Sequence, residues 1–275
     1  MSSGYGITNV LAGLGASAFS WSSGYTVGRD RLNDTIQDEL ASGSASAQAS
    51  GQTLTLDAGA VTSISAIAIL NHNLGTGSCA VQVQGADDAG FSVGIVTAKA
   101  ASTINTSAPY QKDTVLQFPA VSKRYWRLTF THSGTKTITI GELFLFSSIT
   151  TLSRQSTWGA GESERYAQNR NESPTGFQRA TYLGGPIRTM RLPFKDLVGT
   201  SQRDELLNMW RATRGGVSNL LYIDVIESTA TAATAAGMQC IWGKMQAELP
   251  WSQVDFNLYD VAEFTITSQG REAGS

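Results

Sequence analysis

The stretch that most constrains this chain is Arg124 to Phe146, RYWRLTFTHSGTKTITIGELFLF, because its apolar residues recur at intervals of two. Trp126, Leu128 and Phe130 share one face while Tyr125, Arg127 and Thr129 take the other, the pattern of a strand buried on one side. His132-Ser133-Gly134-Thr135 supplies a turn, so the two arms are expected to pair as antiparallel neighbours with His132 solvated between them. In the second arm Ile138 and Ile140 keep the alternation, Gly141-Glu142 interrupts it as a bulge would, and Leu143 to Phe146 are apolar on both faces. A strand apolar on both sides must be covered on both, which predicts a central position and not an edge.

The remaining sequence sets the frame. At 275 residues there is room for two domains, and 41% apolar residues suffice for a sizeable core. Charged residues make up only 15%, against 28 glycines and abundant serine, threonine and alanine, a balance typical of β-rich assemblies. A formal net charge of -2 gives no electrostatic reason to expect nucleic acid or an anionic membrane as partner. No apolar run approaches the roughly 20 residues of a membrane helix, and no basic residue precedes the short apolar stretch at the N-terminus. Cys79 and Cys240 lie far apart, so a disulfide framework is not supported and folding in a reducing cytoplasm is expected.

Along the chain, Ala41 to Gln52 (ASGSASAQASGQ) reads as a low-complexity surface loop. Leu54 to Asp57 and Val61 to Leu70 read as two strands, the later half of the second apolar on both faces, and Asn71-His72-Asn73-Leu74-Gly75 favours a turn. Cys79 to Gly85 alternates, Asp87-Asp88-Ala89-Gly90 closes it, a further strand is expected near Gly94 to Thr97, and Val115 to Phe118 is a short strand ended by Pro119. Such short strands between turn signals predict an antiparallel sandwich of jelly-roll type over residues 1–148. Residues 149–186 hold an aperiodic segment, Ser153 to Gly185, too long for a routine connection and expected to be a linker or an assembly arm. Residues 187–275 are expected to form a small β-barrel or sheet with one packed helix. Its strands are Arg188 to Phe194, Leu220 to Ile226, Met238 to Gln246 and Phe256 to Ile266. The helix is opened by a capping box of Ser201 with Asp204 and ended by Gly215-Gly216.

Catalytic chemistry finds little to build on. Two histidines and no Gly-x-Ser-x-Gly elbow leave no triad, adjacent carboxylates diverge in an extended chain, and no phosphate loop, zinc pattern or dinucleotide fingerprint occurs. No enzyme activity, cofactor or metal is therefore expected. Asn71, His72 and Asn73 form the most polar cluster at the end of a buried strand and are ligand-binding candidates, although a histidine among turn formers is more often a hydrogen-bonded loop residue. Asp87 and Asp88 are candidates for the same role, or for Ca²⁺ with loop carbonyls, against the commoner reading of solvated turn acids. Trp158, in the aperiodic segment, is the candidate subunit contact, since tryptophan is favoured as an interface anchor.

Leu54-Thr55-Leu56-Asp57-Ala58-Gly59, Ile67 to Leu74, Tyr125-Trp126-Arg127-Leu128 and Ile138 to Phe146 resemble, in that order, a galactose-binding-like (discoidin-type) jelly roll of the version found in tailed-phage structural proteins. Ser173-Pro174-Thr175-Gly176, Arg188 to Phe194, the helix ending in Met209-Trp210, Leu221-Tyr222-Ile223-Asp224 and Tyr259 to Ile266 are similar to the barrel domain of siphophage distal tail and minor tail proteins. The resemblance implies a virion protein at the tail tip, assembled in the bacterial cytoplasm as a homo-oligomeric ring that joins the tail tube to hub, baseplate or fibres. The alternative is a carbohydrate-binding tail protein contacting a host-surface glycan through Asn71 to Gly75 and Asp87 to Gly90. The candidate loops hold few aromatics beyond Phe91 and Tyr110, which favours the structural reading.

Overall fold

The alternation in the first half of the chain becomes two long strands that pair with each other from end to end. The computed structural model describes residues 2–34, 40–75, 79–104, 113–154, 161–172, 178–226, 238–255 and 258–268. It divides into two compact units, Met1–Thr151 with Tyr222–Cys240 and Leu152–Leu221 with Ile241–Ser275, so the second is not the continuous 187–275 expected. The first unit contains β1 (Ser2–Gly6), β2 (Phe19–Trp21), β3 (Ala41–Ser42), β4 (Gln48–Ala49), β5 (Gln52–Leu70), β6 (Ala80–Ala86), β7 (Val96–Thr103), β8 (Thr114–Thr131), β9 (Thr135–Lys136), β10 (Thr139–Ile140) and β11 (Glu142–Phe146), with β12 (Thr150–Leu152) at its end.

Strands β5 and β8 are antiparallel from Gln52↔Phe130 to Ile69↔Thr114, with slips in register at Asp57/Thr62 and Ile64/Ala66. The two strands expected before Leu70 are thus one, interrupted by a bulge in which Gly59 takes φ 78° and donates its N–H to Asp57 Oδ1. Pro119 does not end a strand either. Ile64 pairs with Val121 and Ala66 with Gln117, so the proline falls inside the second slip, where its missing N–H costs no ladder bond. Before the slips β2 flanks β5, and β6 then β7 flank β8; after them β11 flanks β5. Leu54, Leu56, Trp126 and Leu128 of the first half share one buried cluster with Ile67, Ile69, Leu116, Leu143 and Leu145 of the second. The slips therefore let the two halves face one another, and the result is the antiparallel jelly-roll sandwich expected.

The hairpin expected within Arg124 to Phe146 does not form. β8 and β11 lie on opposite edges of β5, because β11, buried at all five positions, pairs with Ala66–Leu70, which is buried at all five as well. The intervening residues divide, β9 pairing with β4 and β10 with β3. Gly141 is no bulge but the handover from β10 to β11, its N–H donating to Leu70 O at 3.0 Å and Asn71 O at 3.2 Å. Nor is β11 central: it ends the strand order, with its outer edge closed by Val10 N–H donating to Leu145 O at 2.8 Å and Leu145 N–H donating to Asn9 Oδ1 at 3.0 Å. Ala41 to Gln52 is likewise more than a surface loop. Ala41, Ser44 and Gln52 are buried, and the small residues permit close approach: a Cβ on Gly43 would lie 3.0 Å from the Trp21 ring.

The second unit holds β13 (Gly161–Glu172), β14 (Gln178–Val198), α1 (Gly199–Ala212), β17 (Trp251–Asp255) and β18 (Leu258–Ser268), while β15 (Asn219–Ile226) and β16 (Met238–Met245) run across the division of the chain. β14 pairs with β13 and β18, and β17 and the end of β16 also pair with β18. Phe194 and Phe264 stack at 5.7 Å within its core. The segment expected as a linker or arm is mostly strand among its described residues, Gly161–Glu172 being paired with β14. A two-stranded ribbon satisfies its backbone whatever its side chains, which is why no apolar period announces it. Trp158 lies outside the described residues. The helix begins at Gly199, ahead of the Ser201–Asp204 box; the N–H of Val198 donates instead to Gln202 Oε1 at 2.9 Å. Its end is as expected, Gly215 at φ 65° donating to Trp210 O.

Candidate functional site

The ligand-binding candidates at the end of β5 are used internally. His72 is buried, accepts the N–H of Leu74 on Nδ1 at 3.2 Å, and so carries its proton on Nε2, which donates to Thr114 Oγ1 at 2.9 Å. Both ring nitrogens are thereby engaged, and burial pushes the imidazole down to about 4, keeping it neutral. Asn73 donates from Nδ2 to Thr137 O at 2.7 Å and accepts the N–H of Thr139 on Oδ1 at 3.1 Å. Its carbonyl accepts from Lys136, whose ammonium burial holds below the ordinary lysine range. Asn71, at φ 46°, donates its N–H to Asp113 Oδ1 at 2.9 Å. Asn71 and His72 tie the end of β5 to the start of β8, and Asn73 pins the residues between β8 and β11. His132, expected in solvent, is buried against Gln52, with 3.2 Å between His132 Nε2 and Gln52 Nε2.

Asp87 and Asp88 brace a turn. Asp88 accepts from Ser92 N–H at 2.9 Å, Ser92 Oγ at 2.8 Å and Val93 N–H at 2.7 Å, and the Val93 bond first, then Ser92, holds its carboxyl below the usual range. Asp87 takes Lys123 Nζ on both oxygens at 2.9 and 2.8 Å. Gly94, at φ 60°, leaves no room for a side chain, since a Cβ would meet Asp87 Oδ2 at 1.9 Å. Phe91, at φ 52°, lies buried.

What the turn supports is the outward face of the first sheet half, which the candidates did not include. Ser20, Thr55, Arg127, Gln84 and Thr97 are successive register partners across β2, β5, β8, β6 and β7. Beside this row runs Thr53–Thr129–Gln82, and on the other side Asp57–Tyr125–Ala86. At the centre, Arg127 donates from Nε at 3.2 Å and Nη2 at 2.8 Å to Gln84 Oε1, and its guanidinium lies 4.2 Å above the Phe91 ring. At the edge Arg124 grips Asp57 through Nε at 2.8 Å and Nη2 at 2.9 Å, and this bond above all lowers the Asp57 pKa. The alternation of Tyr125, Arg127 and Thr129 marks this face in the sequence, but which strands lie beside β8 is not readable from one strand's pattern.

Among the described residues no group of three or more His, Cys, Asp or Glu is placed to hold a metal ion, and no helix is long and apolar enough to cross a membrane. Cys79 and Cys240 are both buried and not joined in a disulfide, and burial pushes the Cys79 thiol up to about 11. No protein-family model and no curated protein matches the chain. Solved structures do show similarity. The CBM32 of AlyQ in complex with 4,5-unsaturated mannuronic acid is 18% identical over 53% of this chain and 98% of that one, with a TM-score of 0.39. Chitosan-binding module 1 from a Paenibacillus sp. IK-5 chitosanase/glucanase is 16% identical over 50% of this chain and 98% of that one, TM-score 0.38. A Streptococcus pneumoniae fucose binding module is 14% identical over 52% and 96%, TM-score 0.39.

Proposed function

We propose that the first unit is a non-catalytic carbohydrate-binding sandwich that takes its ligand on the outward face of β2, β5, β8, β6 and β7. The observation that carries this reading is the row Ser20–Thr55–Arg127–Gln84–Thr97: hydroxyls, an amide and a guanidinium at five adjacent strand positions, on a sheet whose other side is solid core. Strands about 4.8 Å apart spread these groups over about 19 Å, room for several sugar units. Planar amides, guanidinium and hydroxyls are the groups that exchange hydrogen bonds with sugar hydroxyls at little ordering cost when held by a rigid sheet. Affinity electrophoresis of the full chain through gels carrying polysaccharides tests it. Retardation should fall in the double variant Thr55→Ala/Gln84→Ala and persist in Asp88→Asn; retardation undiminished in the double variant would place the ligand elsewhere.

A second reading, compatible with the first, is the tail-tip subunit of a tailed phage, located in the virion and assembling as a ring with tube, hub or fibre proteins. Its support beyond resemblance is the ribbon of β13 and β14. Among the described residues, positions 178–182, 186 and 187 of β14 pair with β13 alone. An isolated two-stranded hairpin is marginal in water, and fixing its backbone costs roughly 1 to 2 kcal/mol per residue. A neighbouring subunit's surface would offset that, with Trp158 as an anchor. Light scattering of the purified chain, alone and with tail-tube protein, checks this: assemblies weakened by Trp158→Ala are expected, and a monomer under all conditions would sink the reading.

A further inference from the structure

Resting on the carbohydrate-binding reading, we infer that the ligand is an acidic glycan, a polyuronate or its like, whose carboxylate is received by Arg127. The two aspartates nearest in register and sequence to the Arg127 row are already neutralised, Asp57 by both Nε and Nη2 of Arg124 and Asp87 by Lys123. Arg127 has no such partner: its hydrogen bonds go to the neutral amide oxygen of Gln84, and no carboxylate pairs with it among the described residues. A guanidinium is a planar, delocalised cation. The middle of the row therefore presents a guanidinium that no carboxylate pairs with among the described residues, the carboxylate of Asp88 in the Phe91 turn being held by Ser92 and Val93; it is flanked by Thr55 and Gln84 in its own row and by Thr53, Thr129 and Gln82 in the next.

Geometry makes that charge a receptor. Gln84 holds Nε and Nη2, and the Phe91 ring covers one side of the plane, so the guanidinium lies in a set orientation, while Nη1 donates to no acceptor among the described residues. Phe91 reaches this place only through a left-handed backbone at φ 52°, an unusual conformation for a bulky residue, secured by its N–H on Asp88 O and by the bonds of Asp88 to Ser92 and Val93. An oriented fork loses little entropy on binding and favours a carboxylate over a hydroxyl, because charge-assisted bonds are about twice as strong as neutral ones. A polyphosphate or nucleic acid fits less well, since its dense charge calls for several cations and this face presents one.

The experiment compares one polymer in two forms: a polyuronate and its methyl ester, titrated calorimetrically into the full chain. The acid should bind roughly tenfold tighter than the ester, the effect of one charge-assisted bond, and the advantage should shrink with added salt. Arg127→Gln should abolish the difference between acid and ester whatever it does to the affinity they share, and Arg127→Lys should keep part of the preference. Gln84→Leu, which retains the charge but releases its orientation, should also lose part of it, and serves if Arg127→Gln does not fold. Equal binding of acid and ester to the wild-type chain, or binding of neither, overturns the inference; the carbohydrate-binding reading falls only if no polysaccharide retards the chain in the affinity gels.

Discussion

Strands β5 and β8 run through both halves of the sandwich and behave differently in each. Along Gln52–Asp57 and Tyr125–Phe130 burial alternates residue by residue, and one side of the sheet is left to solvent. Along Ala66–Leu70 every residue is buried, as is every residue of the neighbouring β11. The change falls at the two slips in register, where the bulge at Gly59 and the proline at 119 interrupt the ladder. The difference teaches where a ligand can be received. A half sealed on both faces offers only strand ends, and there the polar residues are spent on holding the chain. A half sealed on one face offers a rigid polar surface.

The largest effect that would break this comparison concerns the sealed half. Phe144→Ala empties a fully buried position and should destabilise by about 3 to 5 kcal/mol in denaturant unfolding. A loss under 1 kcal/mol would show that the outer side of β11 is not core.

Next is a pH effect at the same end. His72, with a folded pKa of about 4 against an ordinary 6.5, is neutral when folded and takes up a proton more readily when unfolded. Its contribution is therefore fully present above pH 6.5 and is lost as pH falls toward 4, amounting to about 3 kcal/mol at most. Stability curves from pH 7 to pH 4.5 should slope accordingly, and His72→Gln should flatten the slope; an unchanged slope would refute a buried neutral imidazole. In the open half, Gly94→Ala forces a side chain into Asp87 at a positive φ, and a loss of about 1 to 3 kcal/mol is expected in thermal melts. Wild-type melting in this variant would mean that the turn is not braced as described.

Much of the open half is legible in the sequence because it obeys period two: Cys79, Val81 and Val83 inward, Trp126, Leu128 and Phe130 inward, with threonine, glutamine and arginine outward. The sealed half is legible only as strand, since residues apolar on both sides do not say which neighbour they take, and the pairing of β11 with β5 in place of β8 could not be read. The proposed face escaped for a related reason. Gln84 and Phe91 stand 43 and 36 positions before Arg127, and no local spacing unites them with it; their meeting follows from the register of β6 on β8. Loop residues rich in Asn, His and Asp drew notice because such residues often bind ligands, yet the same hydrogen-bonding capacity suits them to bracing turns.

The smallest expected effect is the sharpest, because it sets two threonines of one strand against each other. Thr114 and Thr129 both lie on β8, one in each half. Thr114 is 2% exposed and its hydroxyl accepts the Nε2–H of His72 at 2.9 Å, whereas Thr129 is half-buried on the outward face between Thr53 and Gln82. Valine keeps the shape of threonine and removes the hydroxyl. In Thr114→Val the buried imidazole N–H loses its acceptor, a cost of about 1 to 3 kcal/mol. In Thr129→Val water replaces nothing that the fold requires, and stability should move by less than about 0.5 kcal/mol. Glycan retention should respond in the opposite sense: weakened in Thr129→Val, where a hydroxyl leaves the proposed surface, and unchanged in folded Thr114→Val. If Thr129→Val destabilises as much as Thr114→Val, the outward face is covered by something other than solvent and cannot receive a polysaccharide.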